Sequence, residues 1–160
     1  MLQRILNTAN DKTLTVARLA LGVVFFAHGA QKVLGWFGGA GFSATLNGFT
    51  HRMGLPLPLA LLAIAAEFLG GLGLLVGLLG RIAAFGIAFE MTVAVLLVHR
   101  HFGFFMNWMG NKKGEGFEFH LLAIAIGLVV LVKGSGALSL DRFLSNRGRA
   151  GKGSDLQAAA

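Results

Sequence analysis

Three features of the sequence predict an all-α membrane protein, a bundle of four antiparallel transmembrane helices. The 160 residues are 55% hydrophobic and 13% charged, with a mean hydropathy of +0.71; a soluble domain of this size would need more surface charge. The apolar residues gather in four runs, each near the ~20 residues that a crossing requires. Within the runs, blocks such as LALLAIAA (Leu59 to Ala66) and LLAIAI (Leu121 to Ile126) are continuous, whereas a transmembrane barrel strand would alternate apolar with polar.

The first run, Leu14 to Leu34, follows a polar segment, residues 1–13, that carries Arg4, Asp11 and Lys12. AHGA (Ala27 to Ala30) resembles a small-residue cleavage site, but His28 and Gln31 beside it and Asp11 before it are foreign to a signal peptide, so the run reads as a retained helix. The glycines of GWFGGAG (Gly35 to Gly41) end it and leave Trp36 at headgroup level. Phe42 to Gly54 fits a short surface helix and a plain loop equally. Pro56 and Pro58 suit a helix start, opening the second run, Leu57 to Leu79. Gly80 and Arg81 make a turn tight enough to force an antiparallel hairpin with the third run, Ile82 to Val98. The loop His99 to Gly116 leads to the fourth run, Phe117 to Val132. These last two runs, about seventeen residues each, sit at the short end for a crossing. Residues 145–160 are basic and lack apolar periodicity, so a disordered tail is expected there, with 14–144 as one membrane domain.

The net charge of +7 does not form the basic stripe of a nucleic-acid binder. Arg4, Lys12, Arg18, Arg81, Lys133, Arg142, Arg147, Arg149 and Lys152 fall on the side of the N-terminus, and Lys32, Arg52, Arg100, Lys112 and Lys113 on the other. The positive-inside rule then places both termini in the cytoplasm. Cysteine is absent, which excludes a disulfide framework, dithiol chemistry and a thiolate-held cluster on this chain.

Charge inside apolar runs is costly and marks a site or a partner. Arg18, Gly22, Phe25, His28, Gly29 and Lys32 recur at three- and four-residue intervals on one helix face. Glu67 shares a face with Ala63, Gly70 and Gly71, Glu90 with Ala83, Gly86 and Ala94, and His120 with Ala123 and Gly127. Small residues allow close helix approach, so these polar groups should point into the bundle. His28, Gln31, Lys32, Glu67, His99, His101 and His120 collect in the outer half, with Lys32 as the nearest counter-charge for Glu67. Arg18 and Glu90 lie deeper and are expected to pair structurally across the first and third helices.

Such a cluster suits a quinone, which needs an apolar slot, donors for its carbonyl oxygens and a proton route. Glu67 and His28 are the catalytic candidates, with His28, Lys32, Glu67, His99 and His120 as binding residues and FGFFMNW (Phe102 to Trp108) as a cover. A metal is disfavoured, because the candidate ligands come from four helices without a short motif. No cofactor motif is present, so the electron donor would be a partner oxidoreductase, and an oligomer is compatible. The alternative is a structural or assembly subunit whose polar groups only hold helices together, at ~0.6–2 kcal/mol per contact.

RLALGVVFFAHGAQK (Arg18 to Lys32), EFLGGLGLLVGLLGR (Glu67 to Arg81), the looser His101 to Phe105 and GSGALSLD (Gly134 to Asp141) together resemble the DoxX family, over about Asn10 to Phe143. The resemblance implies a four-helix inner-membrane protein. Some relatives are subunits of thiosulfate:quinone oxidoreductase, and others associate with oxidoreductases in redox-stress complexes. By position it singles out Arg18, His28, Lys32, Glu67, Arg81 and Asp141, the last two as a possible ion pair at the cytoplasmic ends.

Overall fold

The computed structural model describes residues 2–148. Short α1 (Leu2–Leu6) precedes α2 (Lys12–Leu34); α3 (Gly41–Asn47) runs into a single π turn (Gly48–Arg52); α4 (Leu57–Val76), α5 (Gly80–Leu97) and α6 (Glu118–Lys133) follow. A further helical run covers 140–148. It reaches four residues into the segment expected to lack structure, and the rest of that segment lies outside the described residues.

Local chemistry sets the helix ends. Asp11, with extended backbone, accepts from Thr13 N at 2.8 Å and Leu14 N at 3.3 Å, the N-cap arrangement that satisfies amides lacking an intrahelical partner. Gly35 ends α2 at φ 72°, a left-handed conformation that glycine adopts without a Cβ penalty. Gly77 does the same for α4 at φ 71°, so that helix stops three residues before the expected Leu79.

α2, α4 and α5 are each long and apolar enough to cross a membrane. α6 has sixteen residues, about 24 Å of rise. The helices pack in a ring, α2 on α4, α4 on α5, α5 on α6 and α6 on α2. Hydrogen bonds at one end give their directions: the start of α2 meets the end of α4 through Arg18, and the start of α5 meets the end of α6 through Arg81. Neighbours therefore run antiparallel. Leu14, Leu21, Phe25, Leu74, Ile87, Met91 and Val130 fill the centre, while Leu62, Leu69, Phe85, Phe89 and Val132 point outward, an apolar exterior that lipid matches and water does not.

The α2–α4 seam is the tightest. A Cβ added at Gly71 would lie 2.7 Å from Phe26 Cα, and one at Gly29 would lie 2.8 Å from the Glu67 carbonyl carbon. Glycine here lets two backbones touch, as small residues do between membrane helices, and Phe26 stacks on Phe68 at 5.6 Å beside the contact.

Candidate functional site

The close seam brings Lys32 to Glu67. In a helix the side chain leans toward the N-terminus, so Lys32, near the end of α2, projects down the seam toward the middle of α4. Its ammonium forms an ion pair with Glu67 Oε2. Glu67 is buried at 5% exposure, about 15 Å into α4 at ~1.5 Å per residue. From α5, the Glu90 carboxyl comes within hydrogen-bonding range of Glu67 and within the field of Lys32, while its own Oε2 is buried without a hydrogen-bond partner. One ammonium and two carboxyls thus meet inside an apolar bundle. Two adjacent carboxylates repel strongly in such surroundings, and the group is electrically neutral when the carboxyl pair holds one proton.

A second cluster lies where α5 ends and α6 begins. The His99 and His120 rings approach to 4.0 Å between centroids. His99 Nδ1 is 2.9 Å from the Glu115 carbonyl oxygen. His120 is buried and its Nδ1 lacks a partner. The loop above them is held by carboxylates: Glu118 Oε1 accepts from Met106 N at 2.9 Å and from Trp108 Nε1 at 3.0 Å, and Glu115 Oε2 accepts from Asn107 N at 2.7 Å.

Other residues are placed differently from the sequence expectation. His28 is exposed beside Phe119, ring centroids 6.5 Å apart; it is one residue, about 100° of helix rotation, from Gly29 at the seam. His101 is exposed. Gln31 donates to the Phe37 carbonyl at 3.4 Å.

The expected Arg18–Glu90 pair does not form. α2 and α5 are diagonal in the ring, and Arg18 spends its donors on main-chain carbonyls: Leu74, Leu75 at 3.0 Å and Leu138 at 2.7 Å. Nor do Arg81 and Asp141 pair. Asp141 caps the start of α5, accepting from Leu79 N at 2.7 Å, Gly80 N at 3.0 Å and Ser135 Oγ at 2.6 Å. Arg81 reaches the last carbonyls of α6, Leu131 and Val132, and the Asn7 carbonyl. In both cases a helix end, with its unsatisfied main-chain groups and partial charge, claims the side chain.

Glu90 is the residue that the sequence argument assigned elsewhere. Its signal was the hairpin: Glu67 stands twelve residues before Leu79 and Glu90 eleven after it, so an antiparallel pair turning there sets them side by side.

The sequence profile of the DoxX family matches residues 13–100. The chain is 30% identical over 138 residues to Inner membrane protein YqjF of Escherichia coli strain K12, an alignment covering 86% of this chain and 95% of that protein. It is 32% identical over 129 residues to the Bacillus subtilis strain 168 protein named "Putative oxidoreductase CatD", covering 79% of this chain and 83% of that one. No solved structure matches. With its long apolar helices, the chain is a multi-pass integral protein of the inner membrane.

Proposed function

The chain belongs to the DoxX family, and on that premise we propose that it is a quinone-binding subunit or partner of a membrane oxidoreductase. The observation that carries this reading is the Lys32–Glu67 pair with Glu90 against it, an ionisable group of three in the middle of an apolar bundle. Ionisable residues at such depth mark proton and substrate paths more often than structure. The name of the Bacillus relative supports the redox assignment. In this reading α6 is a fourth, short crossing, and both termini face the cytoplasm, where the basic residues of the α4–α5 turn and the chain ends collect.

The donor set suits a quinone. Glu90 Oε2 and His120 Nδ1 are buried polar atoms that still want partners, as a ligand's carbonyl or hydroxyl oxygens would supply. A bound quinone contributes two-electron, two-proton redox chemistry, with electrons from the partner oxidoreductase. The chain's own part is binding and proton handling: Glu67 and Glu90 share a proton beside the Lys32 ammonium, and His120 and His99 add hydrogen-bonding capacity at the outer end. His28, on the outer surface of α2, is placed to meet a partner or the rim of the site.

A second reading, an assembly subunit whose ion pair only locks α2 to α4, is favoured by the pair's position at the tightest part of that seam. The test is extraction and mass spectrometry of lipids retained by gently solubilised wild type, Glu67→Gln and Lys32→Met. Quinone carried by wild type and lost from stably folded variants is the expected result. Bulk phospholipid alone in all three would refute the quinone reading in favour of the lock.

A further inference from the structure

The three ionisable residues connect two openings of different character. Lys32 lines an open cleft of about 450 Å³ under the first outer loop, together with Gln31, Gly39, Thr45, Phe49 and Arg52. Glu90 lines a groove of about 760 Å³ along the outside of α4 and α5. Small residues hollow the groove: Ala63, Ala66 and Gly70 on one wall, Ala83 and Gly86 on the other. Its other lining side chains are apolar, so Glu90 is the one hydrogen-bonding side chain along it. Glu67, between the two, is exposed to neither.

These walls specify the occupant. Leu62, Leu69, Phe85 and Phe89 frame the groove and are exposed on the lipid-facing side, so what enters comes from the bilayer. Its polar part must reach Glu90, ten residues and about 15 Å into α5. A phospholipid's charged headgroup stays at the interface, since carrying a charge to that depth is costly. A neutral ring bearing carbonyl or hydroxyl oxygens on an apolar tail can go there, and it offers the Glu90 carboxyl a hydrogen-bond partner.

We propose that the α4–α5 groove is the lateral entrance by which a quinone reaches the site from the bilayer, and that Glu90, Glu67 and Lys32 connect it to water in the outer cleft by proton transfer. The proposal rests on the quinone reading above and adds the entrance, Glu90 as the group that meets the ring, and the route. Lys32 gives a proton to cleft water; the Glu67 carboxylate then takes the proton of Glu90 and passes it to the Lys32 amine. One proton moves outward, no electrons move, and the steps run equally in reverse. The apolar groove brings the ligand while the cleft brings water, so the two need not share a door.

The test uses carbodiimides on membranes containing the full chain. A protonated carboxyl adds to a carbodiimide: its oxygen bonds to the central carbon, its proton passes to nitrogen, and rearrangement leaves a stable N-acylurea that peptide mass spectrometry locates. Lipid-soluble dicyclohexylcarbodiimide is expected to label Glu90, and a water-soluble carbodiimide to leave it unlabelled. Decylubiquinone at ten times its dissociation constant should lower the labelling about tenfold by mass action. Glu90→Gln should abolish the label. Infrared spectroscopy of the carboxyl C=O band in D2O follows the route, and Glu67→Gln should slow exchange at Glu90 at least ~tenfold, a barrier rise of about 1.4 kcal/mol. Equal labelling by both reagents overturns the groove, and unchanged exchange in Glu67→Gln overturns the route. If the protein retains quinone but decylubiquinone does not protect Glu90, the entrance lies elsewhere and the quinone reading survives. If quinone is neither retained nor protective, both fall.

Discussion

Replacing Arg18 by methionine tests the account of the bundle end where α2 begins and α4 stops. The side chain is 1% exposed, and its guanidinium donates to the carbonyls of Leu74, Leu75 and Leu138. Leu74 and Leu75 lie in the last turn of α4, where carbonyls have no amide to accept from. Methionine keeps the apolar stem and leaves three carbonyls unpaired. A hydrogen bond from a charged donor is worth ~1.5–3 kcal/mol in soluble proteins, and polar contacts between membrane helices average nearer 0.6. Three bonds at roughly 1 kcal/mol each, less the desolvation recovered by removing a buried charge, give a loss of about 2–3 kcal/mol. That is roughly a 30- to 150-fold shift toward the unfolded state at 1.4 kcal/mol per decade. Equilibrium unfolding by dodecyl sulfate in mixed micelles, followed by far-ultraviolet circular dichroism, measures it. Arg18→Lys retains the charge but not the planar fork and should recover less than half of the loss. A methionine variant within ~0.5 kcal/mol of wild type, or a lysine variant equal to it, would refute the claim that forked bonding to main-chain ends holds this corner.

The same unfolding assay should show Asp141→Ala losing about 1–2 kcal/mol, the usual cost of a helix cap, with less than additive loss in combination with Arg18→Met because the two charges interact. Gly71→Val places a branched side chain against the Phe26 backbone and should prevent close α2–α4 approach, read as loss of a disulfide cross-link engineered across that seam; normal cross-linking would contradict the packing. In a double-mutant cycle of Lys32→Met and Glu67→Gln, a coupling of about 1–2 kcal/mol is expected for a partly buried pair, and zero coupling would make the ion pair incidental.

What the sequence made legible follows from periodicity and helix-end chemistry. The apolar runs matched the observed long helices to within three residues at each end, because Asp11, Pro56 and the glycines at 35 and 77 act locally. The Lys32–Glu67 partnership was legible too, since one cation and one carboxylate shared small-residue faces at similar depth. The partners of Arg18, Arg81 and Asp141 were not, because they are main-chain groups at helix ends, which no side-chain pattern records. His28 shows the limit of face counting: it fits a loose three- and four-residue stripe, yet the seam centres on Gly29, and one residue of rotation carries the imidazole outside.

The latch at the Arg18 end of the bundle also fixes an order of assembly. Arg18 enters the bilayer with the first helix, but two of its acceptors, Leu74 and Leu75, are made more than fifty residues later, and the third, Leu138, later still. Asp141, which closes the α4–α5 turn, is synthesised some sixty residues after the turn it caps. When the first three long helices have been made, Arg18 therefore has two of its three carbonyl acceptors, and the α4–α5 turn still lacks its cap. Completion waits for GSGALSLD to leave the ribosome, which makes this segment the final fastening of a bundle begun at its other end.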